Sequence, residues 1–423
     1  PTPLPLIGNL HLLDLRRLDL SLMKLSEKYG PIFTIHLGMK KAVVLTGAKT
    51  IKEALVEGAD KFSDRAFIPI FHSIQRGNGV FFPSGEMWRK NRWFTMSSLK
   101  NLGMGKKQIE EKILEELQFL TDKIESYAGQ PFRLREFACA PTNITMAMLF
   151  GKRFNYNDPV YMQSLDLIYD IITLLGLPSL QLFNLYPMLA MFLKTHKIIL
   201  EKIDKICRVL KTDIQAKRRN IDEWTNKDSL FHDDNMLATL LDLVMAGTET
   251  TSTTLQWGIL LMMKYPEIQK KVQREIDSVL ESGRLPRFAD RHAMSYTHAV
   301  IHEFQRFSNV IPHLPHATSI DTELKGYHIP KGTTVIPLLA SALYDKHYWE
   351  TPFQFNPNHF LDAEGKLCLG ENLARMELFI FFSGLLQKFT FAPPHGMKEC
   401  QLDTAAEPCF TLRPTEASAG VLC

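Results

Sequence analysis

A mainly α fold with a small β-sheet region is what this 423-residue sequence predicts, and three observations carry it. Apolar residues recur at three- and four-residue spacing through most of the chain, the pattern of amphipathic helices. Runs with the alternation of strands are few and short. No Gly/Ser/Pro-rich linker, composition break or internal repeat divides the sequence, so residues 1–423 are expected to form a single domain although they exceed the usual size of one core.

In chain order, helical spacing covers 18–29, 108–126, 137–150, 161–175, 192–217, 235–264, 267–280, 297–307 and 369–388. Strands are expected at 32–37, 42–46, 326–329 and 334–337. The stretch 171–193 has no charged residue and is long enough to span a membrane. Pro178 and Pro187, with Gly176, Gln181 and Asn184 between or beside them, predict instead two helices joined by an apolar loop.

Composition excludes some classes of function. Hydrophobic residues make up 45% and charged residues 22%, ordinary globular values, and the net charge of +3 gives no footing for nucleic acid. Cys139, Cys207, Cys368, Cys400, Cys409 and Cys423 lack the spacing of a zinc site or a disulfide framework, which favours a reducing compartment. Asn143-Ile144-Thr145 matches a glycosylation triplet but sits in an apolar helical stretch, where it is expected to go unused.

The chemistry begins at Cys368, in Leu367-Cys368-Leu369-Gly370-Glu371-Asn372. A thiolate just before a helix faces unpaired N–H groups that lower its pKa, which suits an axial iron ligand, and Gly370 has no Cβ to keep the first turn off a macrocycle. The bland alternative is a buried structural cysteine. Ala246-Gly247-Thr248-Glu249-Thr250-Thr251 lies inside a long helical pattern. Gly and clustered threonines weaken a helix, so a bend is expected there, with Glu249 and Thr250 as an acid–alcohol pair that relays protons; the alternative is threonines bonded to their own backbone. Glu303-Phe304-Gln305-Arg306 sets a carboxylate and a guanidinium on one helix face.

Together, in this order, these three motifs resemble the cytochrome P-450 superfamily of haem-thiolate monooxygenases, most closely its microsomal drug- and lipid-oxidising branch. The resemblance runs over nearly the whole chain, from the proline-rich Pro1-Thr2-Pro3-Leu4-Pro5 through Trp88-Arg89-Lys90-Asn91-Arg92 and Leu314-Pro315-His316 to Asn356-Pro357-Asn358-His359-Phe360. It implies haem as cofactor, with Cys368 as axial ligand and Trp88, Arg92 and His316 on its propionates. Thr250 and Glu249 would protonate bound oxygen, and Glu303, Arg306 and His359 would brace the fold. The substrate implied is a hydrophobic xenobiotic, fatty acid or steroid-like molecule, in a cavity drawing on Phe67, Ile70, Phe71, Leu243, Ile311 and Phe410. The partners implied are an NADPH-cytochrome reductase, meeting a basic face of Arg89, Lys90, Lys106 and Lys107, together with cytochrome b5 and membrane lipid. The location implied is the cytoplasmic face of the endoplasmic reticulum membrane. The residues 171–193 would form the bilayer-dipping loop between the sixth and seventh family helices, and the family's N-terminal anchor is expected to be missing.

One departure stands out. The family's cysteine loop reads Phe-x-x-Gly-x-Arg-x-Cys-x-Gly, whereas Leu361, Glu364 and Lys366 occupy the three upstream positions here. Most of the loop is expected to be cut out, and Lys366 is a point charge in place of a planar fork. The rival expectation is therefore a catalytically silent, haem-poor member or an incomplete gene product. A second shortening is expected between Arg219 and Asp228.

Overall fold

Helix follows helix along most of the chain: α1 (Leu18–Tyr29), α2 (Ala48–Lys52), α3 (Pro69–Gln75), α4 (Gly85–Asn101), α5 (Lys107–Glu125), α6 (Cys139–Phe150) and α7 (Pro159–Gly176), then α8 (Pro178–Leu185), α9 (Thr195–Arg218), α10 (Asp233–Lys264), α11 (Pro266–Val279), α12 (Ser295–Ser308), α13 (Leu339–Leu343) and α14 (Glu371–Lys388). The strands are β1 (Ile32–Leu37), β2 (Lys40–Leu45), β3 (Asp64–Arg65), β4 (Phe132–Arg133), β5 (His316–Ala317) and β6 (Thr322–Leu324), then β7 (Tyr327–Ile329), β8 (Thr334–Pro337), β9 (Thr390–Ala392), β10 (Ala406–Glu407), β11 (Arg413–Pro414) and β12 (Ser418–Leu422). This computed structural model describes residues 1–218, 232–281, 283–361, 371–407, 409–415 and 418–422. Cys368 and Lys366, and the connection between Arg219 and Asp228, lie outside the described residues.

Proline opens α3, α7, α8 and α11, where its missing N–H costs nothing. Asp158 caps α7 by accepting from the amides of Val160 and Tyr161. The largest sheet has the order β1-β2-β8-β5-β3, with β1/β2 an antiparallel hairpin and β2/β8 parallel. Its last pair sets Arg65 opposite His316, residues 251 positions apart in sequence.

Apolar periodicity does not pick out α3, α4 or α8, because each is either short or carries only a thin apolar stripe. The helix expected at 192–217 starts at Thr195, after a tight 3-10 turn over Pro187–Met191. The apolar stretch 171–193 therefore folds as the end of α7, a break at Leu177, α8 inclined by 64° and that turn. Among the described residues no single helix is long and apolar enough to cross a membrane.

The centre belongs to α10, in which every residue from 251 to 263 is buried. A helix that is enclosed all round needs little polarity on any face, and its C-terminal half supplies Leu255, Trp257 and the run 259–263 to the main core with α5, α6, α12 and α14. Behind it, Glu303 and Arg306 form a fully buried bidentate pair at 2.7 and 2.8 Å. His359 stands 3.2 Å from the same carboxylate, and Arg306 also donates to the carbonyls of Leu343, Pro352 and Gln354. Removing one charge from such a pair strands the other and costs about 3 to 5 kcal/mol, so this triad pins the segment that leads toward the cysteine.

Candidate functional site

The middle of α10 stays α-helical through the motif that weakens it. The helix is continuous through the motif, and its hydroxyls turn back onto it: Thr250 donates to the Ala246 carbonyl at 2.8 Å and Thr254 to that of Thr250 at 2.7 Å. Gly247 serves another purpose, since a Cβ there would lie 2.4 Å from Thr145 Oγ1, so glycine lets α10 press against α6. The opening on the other side is a cavity of about 110 Å³ enclosed by α3, α7, α10 and the turn before β11. Phe71, Phe82, Ile172, Leu241, Ile311 and Phe410 make it apolar, while Thr250 and Glu249 reach it from α10. Of the six positions expected there, Phe71, Ile311 and Phe410 line it. Ile70 is buried in the neighbouring core and Leu243 packs against the main core, on another side of α10. Phe67 is exposed, beneath the Lys40 ammonium.

Glu249 and Thr250 share a cavity wall but are not bonded to each other among the described residues. The Glu249 carboxylate takes a forked pair of bonds from Arg413, 2.7 Å from Nε and 2.6 Å from Nη2, and further bonds from Thr411 at 2.6 Å and Thr253 at 3.0 Å. Sequence reading missed Arg413. A second acid, Asp242, lines the same cavity, and burial pushes its carboxyl up to about 6. It accepts from the backbone amides of Val80 at 2.8 Å and Phe81 at 3.1 Å, and from the Gln75 amide.

The same two residues are held from the other side. Trp88 Nε1 donates to the Val80 carbonyl at 3.0 Å and Arg65 Nε to the Phe81 carbonyl at 3.1 Å. Arg92 lies 5.2 Å over the Trp88 ring. His316 donates from Nδ1 to the Phe62 carbonyl and accepts at Nε2 from Arg65, both at 2.7 Å. Burial and the Arg65 charge hold its imidazole down at about 4, in the neutral form. Both nitrogens of His316 are thus engaged, and the group it orients is Arg65, which sequence reading also missed. Arg65 is itself lowered, by desolvation first and then by repulsion from Arg92. Two guanidiniums crowded together at a half-buried place make a seat for carboxylates, and the propionates of a haem fit that donor set.

Glu377, on α14, is a third acid that the spacing rules did not find. It is fully buried, hydrogen-bonded to Thr251 of α10, and its Oε1 has no partner among the described residues. Burial lifts its carboxyl to about 8, so it is protonated at neutral pH.

Known proteins resemble this chain over most of its length. The family described as Cytochrome P450 matches residues 1–419. Cytochrome P450 2W1 of Homo sapiens is 48% identical over 445 residues, covering 98% of this chain and 91% of the relative; that of Mus musculus is 46% identical, covering 98% and 90%. Cytochrome P450 2K6 of Danio rerio is 44% identical, covering 97% and 88%. An aligned length above 423 means that the relatives carry residues this chain lacks. A buried helix with Thr250 and Glu249 on an apolar cavity, a basic cluster suited to propionates and a match over almost the full length lead to one conclusion: the chain belongs to the cytochrome P450 family, the haem-thiolate monooxygenases of xenobiotic and lipid substrates.

Proposed function

We propose that this chain, as a single domain over residues 1–423, oxygenates a hydrophobic substrate held in the cavity beside Thr250. The observation that carries this is an apolar cavity whose only hydroxyl on α10 belongs to Thr250. The overall reaction takes substrate RH, O₂, two electrons and two protons to ROH and water. Haem supplies the oxygen chemistry when bound. Cys368 would hold its iron, and Arg65 and Arg92, the latter backed by the Trp88 ring, would hold the propionates, with His316 fixing Arg65. The protein's remaining tasks are to exclude water, to place the substrate and to move protons through Thr250 and Glu249.

Electrons come from NADPH through a reductase, with cytochrome b5 as a second donor. Arg89, Lys90, Lys106 and Lys107 are all exposed on α4 and its C-terminal flank, which supports an acidic partner there. The location is the cytoplasmic face of the endoplasmic reticulum membrane. Met188, Met191 and Phe192 stand out from the turn after α8, and the Tyr186 hydroxyl donates to the Leu6 carbonyl, bringing exposed Leu6 alongside. Contiguous apolar side chains of this kind favour a lipid surface.

The test is Thr250→Ala. Its haem content stays at the wild-type level, while electrons leave as H₂O₂ in place of product, read as product and peroxide formed per NADPH. A variant that keeps the wild-type product yield removes Thr250 from the chemistry.

A further inference from the structure

Glu249 is held at both carboxylate oxygens by one cation. Oε1 receives three bonds, from Arg413 Nε, Thr411 and Thr253, and Oε2 receives one, from Arg413 Nη2. The proton-handling role read from the sequence needs a carboxylate free to turn toward the cavity, whereas a guanidinium forked across both oxygens fixes it in place. Whatever loosens Arg413 therefore decides when Glu249 is available.

Arg413 is 2% exposed and has a second attachment. Its Nη1 donates to the Tyr169 carbonyl and to Thr173 Oγ1, both at 3.2 Å, and its guanidinium lies 3.9 Å over the Tyr169 ring. Both residues belong to α7, whose next turn supplies Ile171, Ile172 and Leu175 to the cavity wall. The turn that carries Arg413 is tied to α7 again where the Phe410 amide donates to the Ile172 carbonyl, and Phe410 and Thr411 also line the cavity. One guanidinium thus bridges the helix that covers the cavity and the acid in its wall.

We propose that Arg413 is a positioning residue for the oxygenation: it holds Glu249 in the cavity wall and makes the hold depend on where α7 sits. A substrate that displaces Ile171 or Leu175 moves α7, draws on Nη1 and loosens the guanidinium fork on Glu249. Proton supply then follows occupancy of the cavity. This rests on the monooxygenase reading above.

Two measurements test it. The first is a double-mutant cycle on unfolding midpoints with Thr173→Val and Glu249→Gln, residues that both bond to the Arg413 side chain. Their effects are non-additive in the wild-type chain and become additive when Arg413 is Gln, or Lys if the Gln variant does not fold. The second is product per NADPH in haem-loaded, reductase-supported turnover. Thr173→Val leaves the charge in place yet shifts electrons toward peroxide by about two-fold or more, and Arg413→Lys lies between wild type and Arg413→Gln. Additive effects in the wild-type chain, or a wild-type product yield in Thr173→Val, overturn the proposal. If the monooxygenase reading fails, the wild-type chain forms no product while the unfolding cycle still reports on Arg413, so the two failures are distinct.

Discussion

Glu249 of α10 and Glu377, which faces α10 from α14, are both buried carboxyls, yet among the described residues a guanidinium is bonded to Glu249 and none to Glu377. For Glu377, the raised folded value means that the native state holds a proton which the unfolded chain has released. Stability is then full below the ordinary carboxylate range, near 4.5, and is lost as pH rises toward about 8. Glu377→Gln should leave stability near pH 5 almost unchanged and remove a slope of up to about 1.4 kcal/mol per pH unit across that window. Unfolding midpoints at a series of pH values check this, and an unchanged slope would show that Glu377 is not protonated. At this scale the sequence was legible only where partners lie within a helical turn. Glu303 and Arg306 could be paired by eye. Arg413, 164 positions from Glu249, and Arg65, across a strand register from His316, could not, because spacing rules reach four residues and ion pairs through space do not.

Among the elements, the long helices other than α4 were read to within two or three residues, since a buried stripe leaves a period behind it. The helix expected at 235–264 is α10, and although local propensity weakens it midway, tertiary enclosure keeps it α-helical through its threonines. The break between α7 and α8 was foreseen from proline and glycine, although the exposed part of that apolar stretch lies later than its composition suggests. Phe183 is buried and stacked on His196, whereas Met191 and Phe192 are 76% and 77% exposed. Met191→Glu with Phe192→Glu should therefore weaken binding of the chain to anionic lipid vesicles in a flotation or sedimentation assay, with the unfolding midpoint unchanged. Equal binding by wild type and double variant would place the lipid-facing surface elsewhere.

At the scale of the whole molecule, the family frame was legible because it rests on ordered motifs, and the match over residues 1–419 bears it out. The sequence ahead of Cys368 departs from the family pattern, with Leu361, Glu364 and Lys366 in place of Phe, Gly and Arg. Inserting a Phe-x-x-Gly-x-Arg segment ahead of Cys368 should raise haem content and strengthen the thiolate-type Soret band of the reduced carbon monoxide complex, and Cys368→Ser in the lengthened chain should abolish it. A full band in the unaltered chain would mean that its short loop already suffices. Elsewhere the architecture separates what must stay from what can vary. Val80 and Phe81 hang between Asp242 on one side and Trp88 and Arg65 on the other, and all four bonds use their main-chain amides and carbonyls. Proline is barred from both positions, since it would remove an amide that donates to Asp242. The gap between cavity and basic cluster is thus a fixed ruler two peptide units long. The cavity can be recut at Phe71, Phe82 or Ile172 without shifting the cluster, so the scaffold can change its guests over generations and keep its workbench in place.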